Sequence, residues 1–259
     1  MPDLLFLVHG MGLSVDQWHQ PFVDALEEQY AKYPNLAEKP FDERFTVIPV
    51  SYDDRLRQIV KRWQDDAEGV GKAAADVDAR LVQDMTGWLK LAASEDHYEW
   101  THAADVLLYR MFPSVHEHIK VHVGSQIATA VNKRKAGESW SVLGYSLGTA
   151  VAHDSLHALW TDKMEGGTGF AADQERALVV AQIANVSRIL QTRPKVYESA
   201  VKPGPASQKR GCRYFLTARH RLDPFTSPAS FDPVNWPDAT AEQRRVFTKP
   251  RLEHIHQWN

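Results

Sequence analysis

Ser139-Trp140-Ser141-Val142-Leu143-Gly144-Tyr145-Ser146-Leu147-Gly148-Thr149-Ala150-Val151-Ala152 is the stretch whose reading decides the fold. Its first part is apolar and β-prone, and its last part is a run of small residues suited to a closely packed helix. Between them stands G-x-S-x-G, so the expected order is strand, sharp turn, helix. A serine on such a turn projects from the end of a sheet. The glycines two before and two after it are required because a Cβ at either place would strike the neighbouring strand or helix. The sequence therefore predicts a nucleophile elbow with Ser146 at its apex.

Leu4-Leu5-Phe6-Leu7-Val8 is an unbroken apolar run, too short for a helix, that ends in His9-Gly10-Met11-Gly12. A run of that kind reads as a strand buried on both faces, as in a parallel sheet. The His-Gly pair at its carboxyl end places a turn where backbone N–H groups can face a ligand. Acyl transfer to a serine needs two such groups for the oxyanion, one from this loop and one from the residue after the nucleophile. The candidates are the backbone N–H groups of Met11 and Leu147, with His9 expected to bridge backbone groups beneath the site.

Other strands are expected at Phe45–Val50, Trp140–Leu143, Leu178–Ile183, Cys212–Thr217 and Leu252–His256. Helical patterns lie between most of them, and this alternation implies a mostly parallel sheet with helices on both faces. Trp18, Phe22 and Leu26 mark one amphipathic helix, and Ile119, Val123, Ile127 and Val131 another. More than eighty residues separate Tyr52 from Gly137, with helical patterns and no convincing strand. Excursions near the carboxyl ends of strands often cover an active site, so roughly 55–104 is read as a helical insertion forming a cap or lid.

These segments resemble the α/β-hydrolase superfamily, and within it bacterial serine esterases related to lipases and to GPI-inositol-deacylase-like proteins. The likeness rests on Leu5 to Gly12 with Trp18 after them, on Asp105-Val106-Leu107-Leu108-Tyr109, on Ser141 to Gly148, and on Leu222-Asp223-Pro224, in the family's order across nearly the whole chain. The resemblance implies one α/β-hydrolase domain over 1–259 and an esterase- or lipase-like activity needing no metal or organic cofactor. It also implies a small-molecule or lipid ester as substrate.

A serine hydroxyl needs a histidine base, and the histidine needs a carboxylate to fix its tautomer. The superfamily's chain order is serine, acid, histidine. Asp223, in the loop after the strand Cys212–Thr217, is the expected acid; Asp232 and Asp238 lie further out. The base should follow the last strand, where the chain reads Arg251-Leu252-Glu253-His254-Ile255-His256-Gln257-Trp258-Asn259. Either His256 is the base, at the frayed end of a short strand, or the base lies on a carboxyl-terminal piece that this chain lacks. His254 and His220 are the remaining candidates.

The other histidines have plainer readings. His116, His118 and His122 surround Glu117 without an H-E-x-x-H spacing, so a solvated helix face is expected there rather than zinc. His153 and His157, four apart, are expected on a helix surface or in packing. No strand is followed by G-x-G-x-x-G, which removes the dinucleotide reading.

Composition sets the outer bounds. A chain of 259 residues with 43% hydrophobic content builds a substantial core. A net charge of −3 gives no nucleic-acid surface. One cysteine, Cys212, excludes an intramolecular disulfide and suits a reducing compartment. Met1-Pro2-Asp3 has no basic region ahead of its five-residue apolar run, and no stretch reaches the ~18 apolar residues of a membrane span. A cytoplasmic location is therefore expected, with leaderless export the alternative. The functional rivals are a non-catalytic fold-mate that binds a ligand or partner protein, and a phospholipase effector.

Overall fold

The structure is a computed structural model. It describes residues 2–10, 17–33, 38–52, 54–56, 58, 61–62, 109–110, 112–171, 175–190, 196–204, 207–219, 223, 226, 231 and 235–236. The expected strand Leu252–His256, the Asp105–Leu108 segment and the expected cap beyond residue 62 lie outside these.

Apolar runs that begin after turns become the strands β1 (Asp3–Val8), β2 (Phe45–Val50), β3 (Trp140–Tyr145), β4 (Ala177–Ile183) and β5 (Cys212–Ala218). Periodic segments become the helices α1 (Gln20–Ala31), α2 (Phe41–Arg44), α3 (Pro113–Lys133), α4 (Leu147–Trp160) and α5 (Ser187–Leu190). All neighbouring strands are parallel, in the order β2-β1-β3-β4-β5. The expected α/β fold with a parallel sheet is thus present in five strands.

Besides one-residue shifts at the ends of β1, β4 and β5, two departures from expectation have identifiable reasons. β3 runs on through Gly144 and Tyr145, because Gly144 pairs with Val8 and Gln182 and Tyr145 pairs with Ile183. Sheet pairing overrides the turn reading of those residues. Trp18 belongs to a turn before α1 rather than to the helix, since Gln17 takes a positive φ of 63° and Pro21 stands in the first helical turn. Trp18 instead sets its ring edge-on to His9, with centroids 5.1 Å apart.

One sheet face holds most of the core. Phe6, Val8, Val50, Trp140, Val142, Val180 and Phe215 are buried on it, together with Ile119, Val123, Ile127 and Val131 of α3. The small residues Gly148 to Ala152 let α4 press onto the sheet, and all five are buried. Trp140 locks this layer, packing its ring edge against Phe6 at 6.2 Å and tilting against Trp160 at 6.1 Å. The opposite face is more open: Tyr214 and Leu216 of β5 are 46% and 53% exposed. Cys212 is buried in β5, and burial pushes its thiol pKa up. Among the described residues no helix is long and apolar enough to cross a membrane.

The strand order has one consequence for the site. The chain runs from β1 outward to β2, then returns to β3 on the other side of β1 and continues to β5. The order therefore reverses between β1 and β3. In open parallel sheets, ligands bind outside the carboxyl ends of the strands at such a switch point.

Candidate active site

His9 and Gly10 leave the end of β1 at the switch point, and Ser146 leaves the end of β3 beside them. The serine backbone sits at φ 50° and ψ −123°, a region a side chain rarely occupies. Two main-chain bonds and one from a side chain hold this turn. Ser146 N–H donates to Ile183 O at 3.0 Å, and Ser146 O accepts from Thr149 N–H at 2.9 Å and from the Thr149 hydroxyl at 2.6 Å. The Thr149 hydroxyl oxygen also accepts from Val186 N–H at 3.0 Å, which ties the turn to the loop beyond β4.

The flanking glycines are explained by close backbone approach. A Cβ on Gly144 would stand 2.9 Å from Gly148 O and 3.0 Å from Thr149 Cα. A Cβ on Gly148 would stand 2.8 Å from the carbonyl carbon of His9, and closer still to the oxygens of Val8 and His9. Gly10 approaches the serine itself: its added Cβ would meet Ser146 Cβ at 3.0 Å. The first turn of α4 thus rests directly on the end of β1, which is the reason the two loops meet.

Leu147 is the first residue of α4, with a fully buried side chain, and the backbone N–H groups of a helix's first turn lack intrahelical partners. Ser146 itself is only partly buried. Met11 falls outside the described residues. His9 is buried at 5% exposure and bridges backbone groups as expected. Its Nε2 accepts from Tyr52 N–H at 3.3 Å, so Nδ1 carries the hydrogen and donates to Gly10 O at 2.7 Å.

Asp223 stands five residues past the carboxyl end of β5, as Ser146 stands directly past that of β3. Its Oδ1 accepts from Thr226 N–H at 3.4 Å. The structure places no bond between Asp223 and Ser146, and β4 lies between their strands. Among the described residues no side chain hydrogen-bonds the Ser146 hydroxyl. His256, His254 and His220 all lie outside the described residues, as do Asp232 and Asp238.

A bonded Ser-His-Asp constellation, unforeseen from the sequence, lies further along α4. Ser199 Oγ meets His153 Nε2 at 2.8 Å, and His153 Nδ1 meets Asp154 Oδ1 at 3.2 Å. Asp154 Oδ2 also accepts from the Tyr109 hydroxyl at 2.7 Å and pairs with His116 Nε2 at 3.0 Å. Burial works against the charge on Asp154, yet the hydrogen bonds from His116 and His153 win and hold its pKa well below the ordinary carboxylate range. Burial, with the charge of Asp154, pushes the Tyr109 pKa up. His116 is accordingly not part of a merely solvated face; it pairs with a buried carboxylate, while His118 is exposed. His153 is 1% exposed and belongs to packing. Among the described residues no group of three or more His, Cys, Asp or Glu could hold a metal ion.

Comparisons of the chain with protein-family models, with curated proteins and with solved structures return no match.

Proposed function

We propose that the chain is a serine hydrolase of the α/β-hydrolase type that cleaves carboxylic esters through an acyl-enzyme. The observation that carries this reading is the strained backbone of Ser146, at φ 50° between β3 and α4, against Gly10 at the sheet's switch point. Strain of about 1–3 kcal/mol persists only where the surrounding structure enforces it, and such sites are commonly functional.

In this reading Ser146 Oγ attacks the ester carbonyl, and the N–H groups of Met11 and Leu147 hold the oxyanion. His256 takes the serine proton and returns it to the leaving alcohol, with Asp223 orienting the ring. Water then repeats the sequence to release the acid. Strand spacing supports the choice of acid: two spacings put the ends of β3 and β5 about 10 Å apart. An imidazole with a hydrogen bond at each nitrogen bridges roughly 7–8 Å, and the two side chains supply the rest. The substrate class is a small-molecule or lipid ester.

A fluorophosphonate probe tests this. The parent should be labelled on Ser146, as located by peptide mass spectrometry, and Ser146→Ala should not be. Absence of labelling in the folded parent would overturn the hydrolase reading and favour a non-catalytic, ligand-binding protein.

A further inference from the structure

Tyr145 ends β3 and stands directly before Ser146. Its backbone is fixed by pairing with Ile183 of β4, yet its side chain is 41% exposed. An exposed aromatic residue is common in itself; the position of this one is what matters. Phe22, partly buried on α1, tilts against its ring with centroids 5.4 Å apart, within the range where aromatic pairs attract. The ring also reaches Gly10, where an added Cβ would meet Tyr145 Cδ1 at 3.1 Å and Ser146 Cβ at 3.0 Å.

Successive side chains of a strand point to opposite faces, so a tyrosine and the serine after it would ordinarily diverge. The turn at Ser146, with φ 50°, ends that alternation. Both side chains therefore border the same small space over Gly10, one as an aromatic edge and the other as the carbon that carries the hydroxyl. An ester carbonyl carbon bonded to Ser146 Oγ lies two bonds from Ser146 Cβ. The first carbons of the acyl and alcohol halves then come within reach of the tyrosine ring, and apolar atoms about 4 Å from it leave water.

We propose that Tyr145, braced by Phe22, is a specificity-determining residue: its ring is the wall on which an apolar group of the ester packs while Ser146 reacts. Resting on the hydrolase reading above, this names the substrate class as esters with an extended apolar group, favoured over those of acetate size.

Two series separate the halves of the ester. p-Nitrophenyl acetate and hexanoate differ by four acyl methylenes, and methyl and pentyl acetate by four on the alcohol side. A fully buried methylene is worth about fourfold, so one open wall should give about twofold for each, or about 16-fold in kcat/KM across the series whose chain meets it. Tyr145→Ala should cut that ratio to about 2- to 4-fold, with Phe22→Ala between it and the parent. Tyr145→Phe should keep the parental ratio, because the ring and not the hydroxyl supplies the contact. Tyr33→Ala, at an exposed tyrosine beyond α1, should keep it too. Flat parental series, parental ratios in folded Tyr145→Ala, or an equal fall in Tyr33→Ala would each overturn the assignment while leaving the hydrolase reading intact. A parent with no Ser146-dependent turnover would overturn both.

Discussion

Gly148→Ala should be the most damaging single-methyl change in the elbow. The added Cβ would lie 2.8 Å from the carbonyl carbon of His9, against the ~3.5 Å at which carbon atoms rest. The shortfall is at least ~0.7 Å, and the obstructing atoms are backbone, which cannot rotate aside. Either α4 lifts from β1 or the His9 turn is displaced. Overpacking a tight core costs about 1–3 kcal/mol, and backbone against backbone puts this case near the top of that range. Alanine favours a helix over glycine by at most about 1 kcal/mol, so the clash wins and the net loss is about 2 kcal/mol.

Gly144→Ala and Gly10→Ala give the graded comparison. At Gly144 the nearest atoms are backbone at 2.9–3.0 Å; at Gly10 they are Ser146 Cβ at 3.0 Å and Tyr145 atoms at 3.1 Å. Urea unfolding should therefore rank the three variants Gly148→Ala, Gly144→Ala, Gly10→Ala from worst to mildest. A slope of about 2 kcal/mol per M makes the first shift about 1 M. Fluorophosphonate labelling should follow a different order. Gly10→Ala, mild in stability, pushes on the serine itself, and a misplacement near 1 Å costs about 10²-fold in rate. Parental stability and labelling in Gly148→Ala would refute the claim that α4 is seated on the Val8 and His9 carbonyls.

Ser146→Gly should be more stable than Ser146→Ala by about 1 kcal/mol in urea unfolding, because only glycine takes φ 50° and ψ −123° without strain; equal stabilities would show that the turn relaxes. Stability should also fall as the pH drops from about 6.5 to 4, through His157, whose Nδ1 accepts from Ala200 N–H at 3.1 Å and cannot do so once protonated. Burial first, then the charges of His153 and Lys163, lower its pKa from 6.5 to about 4, with Asp154 opposing and Lys120 adding. The unfolded chain binds more protons in that window, so the stabilisation is complete above 6.5 and lost toward 4. The ring is only partly buried, which reduces the effect to about 1 kcal/mol. His157→Gln should flatten the curve, leaving the smaller contribution of His122, whose pKa burial also lowers; an unchanged curve would remove His157 from the account.

What the sequence made legible is what depends on neighbours along the chain. The Leu4–Val8 run, the 3.6-residue stripe of Ile119, Val123, Ile127 and Val131, and the two glycines about Ser146 each encode a local requirement, and each is met in the structure. Tyr52 was not legible as a partner of His9, nor Tyr109 as a partner of Asp154, because those bonds join residues 43 and 45 positions apart. A tyrosine two residues past a strand carries no mark of what its hydroxyl will reach. His116 misled for a related reason: its helical spacing to polar neighbours fits a solvated face, while its buried partner arrives from another helix.

Ser199 and Ser146 show why bonding order alone does not define a catalytic serine. Ser199, His153 and Asp154 are linked in the sequence a triad requires, with distances of 2.8 and 3.2 Å. Yet Ser199 is 1% exposed, and its oxygen also accepts from Val201 N–H at 3.2 Å. Asp154, for its part, is shared with Tyr109 and His116. Each of these groups is engaged with protein, so the network fastens α3, α4 and the 199–201 turn together. Ser146 has the opposite character. Its backbone is strained, its side chain is only partly buried, and it stands where the strand order reverses. Accessibility and enforced strain are what a nucleophile needs before any base can use it, and of the two serines only Ser146 has both.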